Sequence, residues 1–178
     1  MPNNRRELLL RLTKYFISLS IAGVFIVVVD YAIDIRPANV HARYHFPLDI
    51  ANTPFDQPIW LRQDNLSILL IRRSSGLINQ LREAKTHLQD INSDSSRQPS
   101  FAKNALRSRH KDYFVSYAIG TDLACALEVQ ANLLLKETCG NARYDFAGRA
   151  LGNEIQFQNL TIPDYTFNHD FSLLTIIP

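Results

Sequence analysis

From Tyr15 to Val29 the chain carries no charged residue and is apolar but for Ser18 and Ser20, and the run continues past Asp30 to Ile33. That length approaches the roughly 20 residues a bilayer core demands. Arg5, Arg6, Arg11 and Lys14 precede it with Glu7 alone opposing, and such a basic flank keeps the N-terminus in the cytoplasm. A cleaved signal peptide is the competing reading, but no small-residue cleavage site follows the apolar run at the usual short distance. Asp30 fits near a helix end, where it reaches the headgroups; at mid-membrane it would need a partner. The expectation is a single uncleaved transmembrane helix. Asn4 to Leu9 also resembles a weak twin-arginine export signal, although two adjacent arginines are ordinary membrane flank.

At 178 residues the whole chain has room for one domain plus an appendage. A net charge of +2 gives no nucleic-acid footprint. Pro37, Pro47 and Pro54 punctuate a stretch of little periodicity over 34–56, which reads as a linker, or as a connector with a strand around Arg43 to Leu48. The expected division is therefore flank and anchor over 1–33, linker over 34–56 and head over 57–178.

In the head, Trp60 to Arg62, a polar turn at Gln63-Asp64-Asn65, and Ile68 to Ile71 predict a β-hairpin. Ser74 or Ser75 caps a helix whose apolar residues Leu77, Ile78, Leu81, Ala84 and Leu88 recur at helical spacing. Asn92 to Arg109 is polar and reads as a surface loop. Tyr113 to Ile119 is a strand, Ala126 to Leu135 carries the chain back, and short strands follow to Ile177, with turns at Gly140-Asn141, Gly148 and Gly152-Asn153. The fold class expected is mainly β: a small antiparallel head with one helix, plus the N-terminal transmembrane helix.

Both cysteines lie between Gly120 and Asp145, in GTDLAC (Gly120–Cys125) and ETCGNARYD (Glu137–Asp145). Two cysteines permit one disulfide; in a cytosolic protein they would more often be free thiols or a metal pair. This segment resembles the cluster-binding region of Rieske iron–sulfur proteins, with facing loops CTHLGC and CPCHGS. RYDFAGR (Arg143–Arg149) is close to that family's RYDLAGR, and Asn159 to Tyr165 follows its NLxVPPY. The stretch from Ser93 to Gly120 looks like the approach to the first loop in proteobacterial Rieske subunits of ubiquinol–cytochrome c reductase. The resemblance implies a Rieske-like β head and a disulfide between Cys125 and Cys139. In the family each loop gives one Cys and one His to a [2Fe–2S] cluster. Gly120, Asp122, Glu137 and Gly140 stand at those four ligand positions.

None of the four suits an iron–sulfur centre. Glycine has no ligating atom, and carboxylates are hard oxygen donors unsuited to replace Cys and His on this cluster. Ala142 replaces a serine whose hydroxyl would reach cluster sulfur, and Asn153 to Phe157 has lost both prolines of the family's GxPAP cover. His41, His45, His87, His110 and His169 are scattered, none two residues from a Cys, and read as surface or hydrogen-bonded groups. Asp122 and Glu137 on facing loops could meet around a hard cation, but two carboxylates are too few to define a site. No nucleophilic triad stands out. No catalytic residue, metal ligand or cofactor is predicted.

The expectation is a cluster-free, structural Rieske-type subunit of a quinol-oxidising cytochrome bc complex in the respiratory chain. It would be single-pass in a bacterial inner membrane with its head on the periplasmic side. Cytochrome b and a cytochrome c1-type subunit are the partners the resemblance implies, in a dimeric complex. The alternative is a membrane-anchored envelope interaction module outside any respiratory complex. A functional [2Fe–2S] electron carrier ranks below both, since two cysteines leave it without ligands.

Overall fold

The computed structural model describes residues 3–34, 43–49, 51–84, 87–152 and 157–177. The chain divides into two compact units, Met1–His41 and Ala42–Pro178.

The first unit is α1, Asn3–Asp34. Its side chains from Tyr15 to Val29 are apolar but for Ser18 and Ser20, and they are exposed around the whole circumference, the pattern of a helix with no polar face to turn to water. Two of the hydroxyls within or beside the apolar run fold back on their own backbone. Thr13 Oγ1 donates to Leu9 O at 2.8 Å and Ser20 Oγ to Phe16 O at 2.9 Å, hiding donors that hydrocarbon cannot satisfy. By length and composition this helix could cross a membrane.

The second unit holds three antiparallel three-stranded sheets. In the first, β1 (Tyr44–Pro47) pairs with β9 (Leu173–Ile177), which also pairs with β8 (Asp164–Phe167). The strand expected around Arg43 to Leu48 thus forms within the 34–56 stretch and joins the head's own sheet. The second sheet runs β2 (Pro58–Gln63), β3 (Leu66–Arg72) and β4 (Tyr113–Tyr117). Its predicted hairpin turns at Asp64, whose left-handed φ of 51° is one that Asp tolerates. The third sheet is β5 (Leu127–Gln130), β6 (Leu134–Glu137) and β7 (Arg143–Asp145). A hairpin therefore interrupts the stretch from Ala126 to Leu135.

The helix of the head, α2, spans Ser75–Glu83 and is capped by Ser74, whose Oγ accepts from Leu77 N. Asp56 holds that cap in place by accepting from Ser74 N and Oγ; such a cap is worth about 1 kcal/mol. Leu77, Ile78 and Leu81 are buried as their spacing predicted. The stripe stops sooner than expected. Ala84 is already the extended C-cap, His87 takes a left-handed φ of 61°, and Leu88 forms a bridge with Leu151 instead of a further helical turn.

The larger correction concerns Asn92 to Arg109. Polar composition suggested a surface loop, yet Ser93, Ser96, Ala102, Leu106, Arg107 and Ser108 are buried. The loop folds inward because it delivers Arg107 to the core. The Arg107 guanidinium donates to Ser93 Oγ (2.6 Å), Ala147 O (2.9 Å), Gly148 O (2.6 Å) and Leu160 O (2.6 Å). Desolvation pushes its pKa down to about 9, against the pull of Asp145 and Asp90, and that of Arg73, also buried, to about 10. Both remain charged at neutral pH. Each of these arginines gathers buried carbonyls from loops that no strand ladder satisfies.

Candidate functional site

The two loops that the sequence singled out face one another. The first leaves β4 and enters β5, closed at its neck by the Ile119–Ala126 bridge and by Gly120 N donating to Cys125 O at 2.8 Å. The second joins β6 to β7 and closes where Glu137 N donates to Ala142 O at 3.0 Å. Thr138 N donates to Ala126 O at 3.0 Å and ties the necks together. At the tips, Cys125 and Cys139 form a disulfide with Cα atoms 6.0 Å apart.

Glu137 organises the interior. It is fully buried at the end of β6, and its carboxylate turns across the gap into the backbone of the opposite loop. Oε2 accepts from Asp122 N at 3.0 Å; Oε1 accepts from Leu123 N at 2.8 Å and Cys125 N at 2.7 Å. Successive backbone N–H groups converging on one anion make a nest, and here a side chain of the same chain fills it. Ala124 adopts a left-handed φ of 57° between these donors, a conformation unusual for alanine that belongs to the tight curl of the loop around the carboxylate.

Asp122 makes the return connection, its Oδ2 accepting from Asn141 N at 2.9 Å. Tyr144 adds a third tie. Its ring is buried in β7, and its hydroxyl meets Thr121 N at 2.8 Å and Thr121 Oγ1 at 2.9 Å. Desolvation raises the Tyr144 pKa above that of a free phenol, so the hydroxyl keeps its proton. Thr121 Oγ1 in turn donates to Gln158 O.

The two glycines are small because the acids are there. A β-carbon on Gly120 would run into the Glu137 carboxyl and lie 2.8 Å from its Cγ; one on Gly140 would lie 2.7 Å from Asp122 Oδ2. The structure thus brings Gly120, Asp122, Glu137 and Gly140 together, as the loop pattern predicted. Asp122 and Glu137 each accept from backbone donors of the other loop. Among the described residues, the cluster of potential metal ligands that forms is Cys125, Glu137 and Cys139, and the disulfide occupies both sulfurs. His45, His87, His110 and His169 take no part in it; His41 and residues 153–156 of the expected cover lie outside the described residues.

Behind the loops, the RYDFAGR stretch makes a rigid base. Asp145 Oδ1 accepts from Ala147 N and Arg149 N, and Asp145 Oδ2 from Arg149 Nε at 2.7 Å. Arg149 Nη2 reaches Leu81 O of α2. Gly148 turns at φ 66° where a β-carbon would meet Phe114 and Arg107 Nη1, so glycine is required on both conformational and steric grounds. Asn159 Oδ1 accepts from Ala150 N, and its amide donates to Asp90 O and Ser93 Oγ. Sequence reasoning singled out Arg149 and Asn159 within motifs but missed Arg73 and Arg107. Nothing in a lone arginine's neighbours announces that loop carbonyls will surround it.

No family model matches the chain, and no curated protein matches it. Among solved structures, a chain titled hyperthermophilic respiratory Complex III is similar over 87% of this chain and 92% of that one, at 13% identity and a TM-score of 0.46.

Proposed function

We propose that this chain is a membrane-anchored, Rieske-type head that holds no iron–sulfur cluster and serves as a structural subunit of a quinol-oxidising cytochrome bc complex. The observation that carries the cluster-free reading is the Glu137 carboxylate, seated between the loops on three backbone N–H groups. At the four ligand positions the chain offers no thiolate and no imidazole, and its two sulfurs are bound to each other. These residues do not fit a [2Fe–2S] centre. Electron transfer and quinol oxidation are accordingly not assigned to this head.

The subunit role is supported by the residues shared with the Rieske subunits of ubiquinol–cytochrome c reductase: RYDFAGR, the Asn159–Tyr165 stretch and the cysteine spacing. The apolar α1 and its basic flank support an inner-membrane anchor with the head in the periplasm, where a disulfide persists. Cytochrome b and a cytochrome c1-type subunit are the partners proposed. Affinity purification from native membranes, followed by identification of the co-eluting subunits and a haem spectrum, tests this. Co-elution of both cytochromes is expected. A haem-free eluate of unrelated envelope proteins would replace the respiratory role with that of an interaction module.

A further inference from the structure

We propose that reduction of the Cys125–Cys139 disulfide turns the loop clasp into a zinc site, with the two thiolates and the Glu137 carboxylate as ligands. One ligand atom from each of the three residues already lies within 4.8 Å of the others. Zinc binds thiolate at about 2.3 Å and carboxylate oxygen at about 2.0–2.2 Å in a tetrahedron, so rotation of the cysteine side chains closes the set without moving strands. Two soft donors and one oxygen suit zinc rather than calcium or magnesium.

The clasp is built to survive loss of the S–S bond. Thr138 N to Ala126 O, Asn141 N to Asp122, and the three N–H groups on Glu137 all bind one loop to the other independently of sulfur. Those N–H groups also hold the carboxylate in one orientation, the role that supporting hydrogen bonds play around a metal ligand. Among the described bonds, Oε2 accepts from Asp122 N alone, which leaves it a lone pair for a metal. Asp122 itself is engaged with Asn141, so the fourth position falls to solvent. Cys139 is exposed and Cys125 half-buried, open to a reductant.

The chemistry balances with a dithiol. Its first thiolate attacks one cysteine sulfur, forming a mixed disulfide and expelling the other cysteine as thiolate. Its second attacks the dithiol's own sulfur in that mixed disulfide, closing a ring and releasing the attacked cysteine. One S–S bond breaks, one forms, and two electrons pass to the protein as two thiols. Zn²⁺ then displaces both thiol protons. The same pair of sulfurs would be bridged in an oxidising compartment and would hold metal in a reducing one. The proposal does not depend on the respiratory reading.

The test uses the full-length chain in detergent, reduced with dithiothreitol and desalted without oxygen. Reduced protein should take one Zn²⁺ per chain from a chromophoric chelator. With Co²⁺ it should show near-ultraviolet thiolate charge transfer and the strong visible bands of four-coordinate cobalt. Oxidised protein and the reduced Cys125→Ser/Cys139→Ser variant should show neither, and Glu137→Gln should weaken zinc binding by roughly tenfold or more. X-ray absorption at the zinc edge of reduced wild type reads the ligands without any variant: two sulfurs plus light atoms are expected. Equal zinc affinity in the reduced, oxidised and double-serine proteins would overturn the site. So would a sulfur count other than two, and an unchanged cobalt spectrum and affinity in a folded Glu137→Gln protein would remove Glu137 from it.

Discussion

Glu137 stands where a side chain at Gly120 would have to go: a β-carbon there would come within 2.8 Å of Glu137 Cγ. Asp122 stands in the same relation to Gly140, its Oδ2 2.7 Å from where that β-carbon would lie. Each pair takes one residue from each loop, so an acid on one side fills what a glycine on the other leaves open.

The Gly120–Glu137 pair should therefore be coupled. Gly120→Ala alone forces a methyl group against a buried carboxylate, which costs about 1–3 kcal/mol by overpacking. Glu137→Ala alone strands three loop N–H groups. The double substitution should cost less than the sum of the singles, by about 0.5–3 kcal/mol. Chemical denaturation of the four proteins measures this, and strict additivity would mean that the two residues do not share space.

The disulfide closes a loop of about 15 residues, worth roughly 3 kcal/mol in the chain-entropy model. Cys125→Ser/Cys139→Ser should lower the melting temperature of the head by about 6–12 °C at this size. An unchanged melting temperature would leave the bridge without a structural role.

The loops were legible for a definite reason. The resemblance to facing Rieske loops puts Gly120, Asp122, Cys125, Glu137, Cys139 and Gly140 opposite one another, each placed by its spacing from the flanking TxLxC and RYD residues. What the two acids do there was not legible. Composition shows a carboxylate but not which backbone N–H groups curl around it, since that depends on Ala124 entering the left-handed region. Helix α2 was visible in its stripe, but its end was not, because Leu88 satisfies the same spacing while pairing with Leu151. Arg107 was hidden altogether within a stretch whose polarity argued for solvent.

Purified wild-type protein, reduced, should give no Rieske electron-paramagnetic signal. The change Gly120→Cys, Asp122→His, Glu137→Cys and Gly140→His removes both obstructing carboxylates as it restores the ligand set, and part of the reconstituted variant should give one. Ala142 and the altered Asn153–Phe157 cover argue against full occupancy. A stoichiometric wild-type signal would sink the cluster-free reading, while a silent variant would place the loop register in error.

Replacing Arg107 should be severe. Arg107→Met removes four hydrogen bonds from a buried cation, to Ser93 Oγ and the carbonyls of Ala147, Gly148 and Leu160. Ser93, Gly148 and Leu160 keep Asn159 Nδ2, Leu160 N and Gln98 Nε2 as donors, so the loss is about 3 kcal/mol, not the sum of four such bonds. Arg107→Lys should recover little, because an ammonium cannot span four acceptors laid out for a planar fork. Thermal melts of the two variants decide it; near-wild-type stability in the lysine protein would show that charge alone suffices there.

Asp90 makes part of the stability dependent on pH. Burial opposes its ionisation, but hydrogen bonds from the Ser96 hydroxyl and from the N–H groups of Ser96, Asp94 and Ser95 outweigh that and lower its pKa below the ordinary 3.8. A carboxyl more acidic folded than unfolded contributes its full stabilisation above pH 3.8, and loses it as pH falls through the folded value. Asp90→Asn should thus be destabilised at neutral pH and converge on wild type in strong acid. A difference independent of pH would show that the charge on Asp90 is not what holds the loop.

The pairing of Tyr44 with Ile176 sets a timetable for the chain. β1 follows α1 directly in the chain, yet the strand it needs stands more than a hundred residues further on. Contacts so distant in sequence form slowly, so β1 must wait with an unpaired edge until Leu173–Ile177 arrives. The first strand of the head is thus the one that stays open longest, whatever folds between it and its partner.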